Sequence, residues 1–291
     1  KIYKDRTIYK KKMLEAKQQY EKTKTKALEK EISRCNNIQM ARKIQLNSAY
    51  GAIGNQYFRY YNLRNAEAIT YGGQFSIRWI ENKMNEYLNK ILKTKGEDYV
   101  IASDTDSIYL NMGPLVETVY KGREKTDQSV VGFLNKVSEM ELEPYIQSSY
   151  EELAEYVSAY DQKMIMKREN IASSGIWTAK KRYMLNVWDS EGVRYSKPKL
   201  KMMGIEAVKS STPAPCRTAI KDAINIMMNG TENDLVSFID TFKDEFNSLP
   251  PEDIAFPRSV NGLRKFKASG TVYTKGTPLH VRGTLLYNFY I

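Results

Sequence analysis

Two short apolar runs, Tyr99-Val100-Ile101-Ala102-Ser103 and Ile108-Tyr109-Leu110, stand on either side of Asp104-Thr105-Asp106-Ser107. Runs this short, parted by so few polar residues, predict two strands joined by a tight turn, a buried hairpin with two carboxylates at its tip. Carboxylates two residues apart at such a turn repel each other and are costly without a cation, so the arrangement makes physical sense as a holder of divalent metal. Phosphoryl transfer has that need, because two Mg2+ ions roughly 3.5–4 Å apart activate the attacking oxygen and neutralise the leaving one. An isolated Asp-x-Asp is more often an Asx turn with solvated aspartates, so the pair alone does not decide the matter.

The sequence around the hairpin is largely helical. From Ile8 to Ser33 it is rich in Lys, Glu and Gln with sparse apolar positions, which suits a long exposed helix. Asn36-Asn37 reads as a turn, and a second helix through Ile38, Ala41, Ile44 and Ser48 to Gly51 makes the first fifty residues an antiparallel helical hairpin. Tyr57 to Leu92 reads as a third helix and 129–159 as another helical stretch. Lys163 to Glu169 alternates like a strand, and a further hairpin runs from Arg182 to Trp188, turns at Asp189-Ser190-Glu191-Gly192 and returns toward Lys201. Ser211-Thr212-Pro213 starts a helix that Gly230 closes, Asn233 to Leu249 forms another stopped by Pro250-Pro251, and Leu285 to Ile291 reads as a strand. A helical hairpin, strands interleaved with helices, then helices predict an α+β body with all-helical attachments.

With 42% hydrophobic residues, the 291-residue chain can bury one sizeable core or two smaller ones and is too apolar to be disordered. Its net charge of +11 calls for an anionic partner, and the excess is clustered. Residues 1–30 hold eleven basic and four acidic groups, as do residues 163–209, so two tracts of net +7 carry more than the whole surplus. That distribution suits a protein tracking a phosphate backbone at defined places; it also suits a solvated helix face and a basic strand pair. Only Cys35 and Cys216 occur, without metal-site spacing, which points to a reducing compartment. No apolar run spans a bilayer and no signal peptide is evident, so a cytoplasmic protein with no membrane partner is expected. Starting at Lys1 and stopping inside an expected strand, the chain reads as a piece of a longer polypeptide.

A second constellation lies on the second helix of the hairpin. Lys43, Asn47 and Tyr50 fall at i, i+4 and i+7 and share one face, offering charge for phosphates, a polar contact and a flat ring. Gly51 beside them removes a side chain where a ring or ribose needs room. A snorkelling Lys and a core Tyr are the commoner explanation of such a face. Lys-x-x-x-Asn-Ser-x-Tyr-Gly followed about fifty residues later by Asp-Thr-Asp-Ser, and then by Lys180-Lys181-Arg182-Tyr183, nevertheless resembles three motifs of the family B DNA polymerases in order and interval. The wider text, including Lys199-Leu200-Lys201-Met202-Met203-Gly204 and Lys209-Ser210-Ser211-Thr212-Pro213, is similar to the T-even-like bacteriophage branch of that family, through nearly the whole chain.

The resemblance implies a long helical-hairpin fingers subdomain at 1–55, an antiparallel palm sheet with flanking helices at 56–204, and an incomplete proximal thumb at 205–291. It implies template-directed DNA synthesis with two Mg2+ ions as cofactors, primer-template DNA and dNTP as partners, and the cytoplasm of an infected bacterial host as location. Asp106 would be the direct metal ligand, Asp104 its neighbour and Glu169 a third carboxylate. Lys43 would contact the triphosphate and protonate the leaving pyrophosphate, with Asn47, Ser48, Tyr50 and Gly51 completing the nucleotide site. Lys180, Lys181, Arg182 and Tyr183 would grip the primer end, and Lys199 and Lys201 the adjoining duplex. Ala102-Ser103 departs from the Gly, often preceded by Tyr, that the family places before the first aspartate, and the stretch from Glu169 to Trp177 is short. The family's other metal-binding aspartate, in Asp-x-x-Ser-Leu-Tyr-Pro, is not among these residues, nor is an exonuclease, a distal thumb or a clamp-binding tail. The chain is therefore expected to be inactive alone and to need an upstream polymerase and exonuclease portion, with a sliding clamp as partner of the full-length enzyme.

Two other readings compete. Haloacid dehalogenase-type phosphatases also open on a strand with Asp-x-Asp, followed by a Rossmann-like run, with which the return Ser107-Ile108-Tyr109-Leu110 fits poorly. A non-catalytic nucleic-acid-binding module fits the basic tracts equally well, and convergence of Asp104, Asp106 and Glu169 would tell the two apart. The lone His280 reads as structural, and Trp177 and Trp188 as packing anchors.

Overall fold

The computed structural model describes residues 1–266 and 276–290, and the chain divides into two compact units. The first comprises Lys1–Ser174 with Leu185–Lys201, the second Gly175–Met184 with Met202–Ile291. Helices and two small sheets are mixed, as an α+β chain requires.

The first unit begins with α1 (Ile2–Thr23) folded back on α2 (Lys26–Ile53). The reversal lies at Lys24 and Thr25, not at Asn36-Asn37 as the sequence suggested. Lys24 takes a left-handed φ of 49° and its N–H donates to the Tyr20 carbonyl, while Thr25 is extended. Asn36 stays helical because its turn holds buried Cys35 and Gln39, and the Gln39 amide donates to the Asn36 side chain at 2.9 Å. Packing of that seam outweighs the weak bias of Asn against helix. Polar contacts tie α1 to the later β-hairpin: Lys10 pairs with Glu191, the Arg194 amide donates to Gln18 at 3.0 Å, and Lys199 pairs with Glu21 at 2.5 Å.

Turns occupy residues 55–62 before α3 (Leu63–Leu92), whose cap Asn62 accepts from the Asn65 amide at 3.0 Å. Ser76, Ile80, Met84 and Leu88 repeat every four residues and make one buried stripe. The hairpin β1 (Val100–Asp104) and β2 (Ser107–Leu110) lies on that stripe, and Tyr99 and Val100 join it in a core closed by Leu142, Ile146, Tyr150 and Leu153. The Asn85 side chain guides the entry, accepting from the amides of Tyr99 at 2.8 Å and Val100 at 3.1 Å. Antiparallel return of β2 straight after a two-residue loop leaves no place for the Rossmann-like continuation of the phosphatase reading.

Two more helices, α4 (Gly113–Val119) and α5 (Asp127–Val137), precede a π-helical turn at Ser138–Leu142 and α6 (Glu143–Tyr156), so the expected 129–159 helix is interrupted. Residues 161–169, expected to hold a strand, are irregular. The Arg168 amide donates to the Glu143 carboxylate at 3.0 Å, which takes it out of any ladder. Three strands follow in sheet order, β3 (Asn170–Ala179), β4 (Arg182–Ser190) and β5 (Val193–Met203), each contributing residues to both units. Asp189, 2% exposed, accepts from the Arg168 guanidinium and the Gly192 amide and lies 3.6 Å from Arg194, while Arg168 also donates to Asn135.

In the second unit, α7 (Ala214–Asn229) follows Pro213 and is closed by the Gly230 amide on the Ile226 carbonyl, and α8 (Glu232–Ser248) carries a capping box between Thr231 and Asp234. A short α9 (Pro251–Ile254) precedes α10 (Leu279–Tyr290). Residues 285–290 are thus helical where a strand was expected, and Ile291 lies outside the described residues. Pro278 accepts the first amides, and Thr284 and Asn288 bond back to the carbonyls four residues earlier, which a strand does not permit. Among the described residues no helix is long and apolar enough to cross a membrane.

Asp189→Ala would leave Arg168 buried without its anion, a loss that typically costs about 3–5 kcal/mol. Urea unfolding should show a destabilisation of that order, and a change below about 1 kcal/mol would mean the network is not structural.

Candidate functional site

At the tip of the first hairpin, Asp104 pairs with Ser107 and leaves Thr105 and Asp106 as the loop. The Asp104 carbonyl accepts from the Asp106 amide at 2.6 Å and from the Ser107 hydroxyl at 3.1 Å. Thr105, whose hydroxyl donates to the Asp104 carboxylate at 3.0 Å, sits at φ 56°. A β-branched residue in the left-handed region is strained by about 1–3 kcal/mol and stays there only where its surroundings over-determine it. Here the surroundings are the half-buried strands, anchored by Val100, Ile108 and Leu110 in the core with α3 and α6. The outcome is a half-buried Asp104 and an exposed Asp106. The buried phenol of Tyr150 lies within electrostatic reach: desolvation raises its pKa first, and the Asp106 charge adds to the rise.

Glu169 is exposed just before β3, and its carbonyl accepts from the Glu191 amide at 2.6 Å. Among the described residues no group of three or more Asp, Glu, His or Cys side chains is placed to hold a metal ion, so Asp104, Asp106 and Glu169 do not form a three-carboxylate cage. The Asp104 and Asp106 pair still offers the donor chemistry of Mg2+, which is commonly held by one or two carboxylates together with phosphate oxygens and water.

On α2, Lys43, Asn47, Ser48 and Tyr50 are all exposed. The Ser48 hydroxyl donates to the Ile44 carbonyl at 2.8 Å, so it is used within the helix. Thr70 spends its proton on the Ala66 carbonyl, so Tyr50 donates to Thr70, 3.3 Å away, which steadies the ring against α3. Gly51 is exposed, and a Cβ there would meet no atom within 4 Å. Glycine in a helix interior costs about 0.5–1 kcal/mol relative to alanine, and no packing within the chain demands it here. Both α2 and the acidic hairpin contact α3, and Tyr50 is the residue of the α2 face with a hydrogen-bond partner there.

In the second unit, Lys180 and Lys181 form the exposed turn between β3 and β4, with Lys181 at φ 61°. Arg182 grips Glu206 with both terminal nitrogens, at 2.8 and 2.5 Å, and Lys209 reaches the same carboxylate at 3.1 Å. Arg182 first, then Lys209, hold the Glu206 carboxyl down to about 2. Tyr183 is buried, its ring 6.3 Å from that of Trp177. In the first unit Lys199 is engaged by Glu21 and lies 3.9 Å over the Tyr195 ring, and Lys201 is half-buried. Of the basic residues proposed for duplex contact, Lys180 and Lys181 are thus exposed, while Arg182 and Lys199 are held in ion pairs. Glu206 escaped the sequence reading; the one local signal was its i, i+3 spacing to Lys209.

Two outcomes are expected. Because the folded Glu206 carboxyl lies below its ordinary 4.5, its pairing adds stability above that pH and loses it as pH falls toward 2. A carbon-detected titration should place the Glu206 midpoint near 2, and a midpoint at the ordinary value would contradict the pairing. Gly51→Ala should stabilise the chain by about 0.5–1 kcal/mol in chemical unfolding, since the added methyl meets no obstacle; destabilisation would show a hidden contact.

The family model for DNA polymerase family B matches residues 5–148. The DNA-directed DNA polymerase of Escherichia phage RB69 is 40% identical over 289 residues, covering 94% of this chain and 32% of the relative. That of Enterobacteria phage T4 is 40% identical over 267 residues, covering 89% of this chain and 30% of the relative. The chain spans about a third of the length of these curated relatives. With the match running through nearly its whole length, the chain belongs to DNA polymerase family B, in the T-even-like branch.

Proposed function

We propose that this chain supplies the nucleotide-binding and metal-binding face of a template-directed DNA polymerase, with residues 1–55 as fingers, 56–204 as palm and 205–291 as the start of the thumb. The observation that carries the reading is the strained acidic turn of Asp104 and Asp106, pinned by a buried core on α3, the helix that α2 also touches. The names of the two relatives support it.

In the proposed reaction a primer 3′-hydroxyl attacks the α-phosphate of a dNTP and pyrophosphate leaves. Asp106 and Asp104 would hold Mg2+, which when bound lowers the pKa of the attacking hydroxyl and neutralises phosphate charge. Glu169 is the outlying carboxylate of the set. The Lys43 ammonium meets the triphosphate and gives its proton to the leaving pyrophosphate. Asn47 makes the polar contact, Ser48 contributes through the helix backbone, and Tyr50 and Gly51 lie under the nascent base pair. The open space at Gly51 supports that reading. In the Lys180 to Tyr183 segment the exposed Lys180 and Lys181 meet the primer end, while Arg182 and the buried Tyr183 hold the segment in place; Lys201, and Lys199 once released from Glu21, serve the duplex. An upstream polymerase and exonuclease portion supplies the family's other aspartate, a sliding clamp engages the full-length enzyme, and the cell compartment is the bacterial cytoplasm.

A non-catalytic nucleic-acid-binding module is the second reading, favoured by the lack of a three-acid group among the described residues. The deciding experiment mixes this chain with candidate upstream fragments and follows primer extension in Mg2+. Extension should appear in the mixture, be absent from this chain alone, and fall more than about a hundredfold with Asp106→Ala, beyond what outer-shell changes to a metal site cost. Extension indifferent to that substitution would sink the assignment, and duplex binding without extension in every mixture would favour the binding module.

A further inference from the structure

We propose that Gly204 and Glu206 form a brace that sets the Lys180–Lys181 turn for phosphate contact, and that Arg182 acts through this brace instead of touching nucleic acid itself. The proposal rests on the reading of that turn as a DNA contact, and all its parts lie within the second unit.

Three observations carry it. The turn is not relaxed: Lys181 holds a left-handed φ of 61° without being glycine, a conformation that persists only when neighbours impose it. The neighbour is Gly204, itself at φ 68°, where a Cβ would come within 2.3 Å of the Lys181 carbonyl oxygen and 3.1 Å of the Arg182 side chain. The nearest obstacle is backbone, which cannot swing aside, so the turn seats directly on the bare α-carbon of residue 204. The third is the bidentate grip of Arg182 on Glu206, whose planar fork fixes direction as well as distance. Glu206 opens the short 3-10 turn Glu206–Val208 and is flanked in sequence by buried Ile205 and Ala207.

Charge sharpens the argument. A carboxylate beside a nucleic-acid contact lowers the local positive potential, so if attraction were all that mattered Glu206 would be a liability. Its place makes sense if geometry is what it supplies. Arg182, with both terminal nitrogens on Glu206, then serves as a positioning residue for the two lysines beside it.

The test uses the full chain, a labelled primer–template duplex read by fluorescence anisotropy across salt concentrations, and hydrogen exchange without DNA. Replacing both Lys180 and Lys181 by Ala should lower the slope of log affinity against log salt by about two; if binding and slope do not change, the DNA reading of the turn fails whatever Glu206 does. Charge alone predicts that Glu206→Gln tightens binding. The brace predicts weakening of at least about threefold, with the slope reduced by about one because the lysines lose alignment. A chain that merely unfolds more would lose binding amplitude at unchanged slope. Arg182→Gln should match Glu206→Gln, and the double variant should be no worse than either. Exchange at amides 180–184 should speed up in Glu206→Gln and in Gly204→Ala while 186–189 keep their protection, which is measurable even if DNA does not bind. Tighter binding in Glu206→Gln, additive losses in the Arg182 and Glu206 cycle, a loss of amplitude alone, or unchanged exchange at the turn would each overturn the brace.

Discussion

The buried stripe of α3 is the contact on which the first unit depends. Ile80, Met84 and Leu88 are at most 1% exposed, and the β1–β2 hairpin, the π-helical turn and α6 all close over them. Burying one such side chain contributes about 1.5–3 kcal/mol, so several together outweigh the 1–3 kcal/mol of strain at Thr105. The acidic turn can therefore stay in a conformation it would abandon in a peptide. The turn so held carries a half-buried Asp104 and an exposed Asp106, whose charge adds to the rise that burial gives the Tyr150 phenol.

Electrostatics outside that turn are more internal than the net charge suggests. Lys10, Lys199, Arg168, Arg182 and Lys209 belong to the basic tracts, yet each is paired with a carboxylate of the chain. Most of these pairs are partly exposed and contribute little to stability one by one. Their effect is to set direction, holding α1 against the β4–β5 hairpin and Arg182 against Glu206. Lys43, Lys180 and Lys181 are exposed, as are Lys11, Lys22 and Lys30 of the first basic tract.

Much of this was legible in the sequence, and the exceptions have physical causes. The acidic hairpin, the β4–β5 pair and α7 with its Pro213 start and Gly230 stop could be read because turn chemistry and short apolar runs are local signals. Asn36-Asn37 misled because an Asn pair is only a weak breaker, and burial of Cys35 and Gln39 overrode it. Residues 163–169 alternate as a strand should, but the Glu143 carboxylate captures the Arg168 amide, a partner 25 residues away that no local pattern reveals. Leu285 onward failed because a short apolar run does not declare its period until its capping residue, Pro278, is weighed. At the site, Lys43, Asn47 and Tyr50 could be placed on one face from spacing alone. Glu206 could not, since its role depends on Arg182, 24 residues away.

The central claim is that the Asp104–Asp106 turn is a divalent-metal site able to serve a nucleotide's phosphates. Titrating the chain with Mn2+, with and without dNTP, while following paramagnetic broadening of backbone amide signals tests it most directly. Broadening should begin at residues 103–107, strengthen with dNTP, spread to the Lys43 to Gly51 face, and vanish when Asp104 and Asp106 are both replaced by Asn. Broadening centred elsewhere, or unaffected by those replacements, would contradict it.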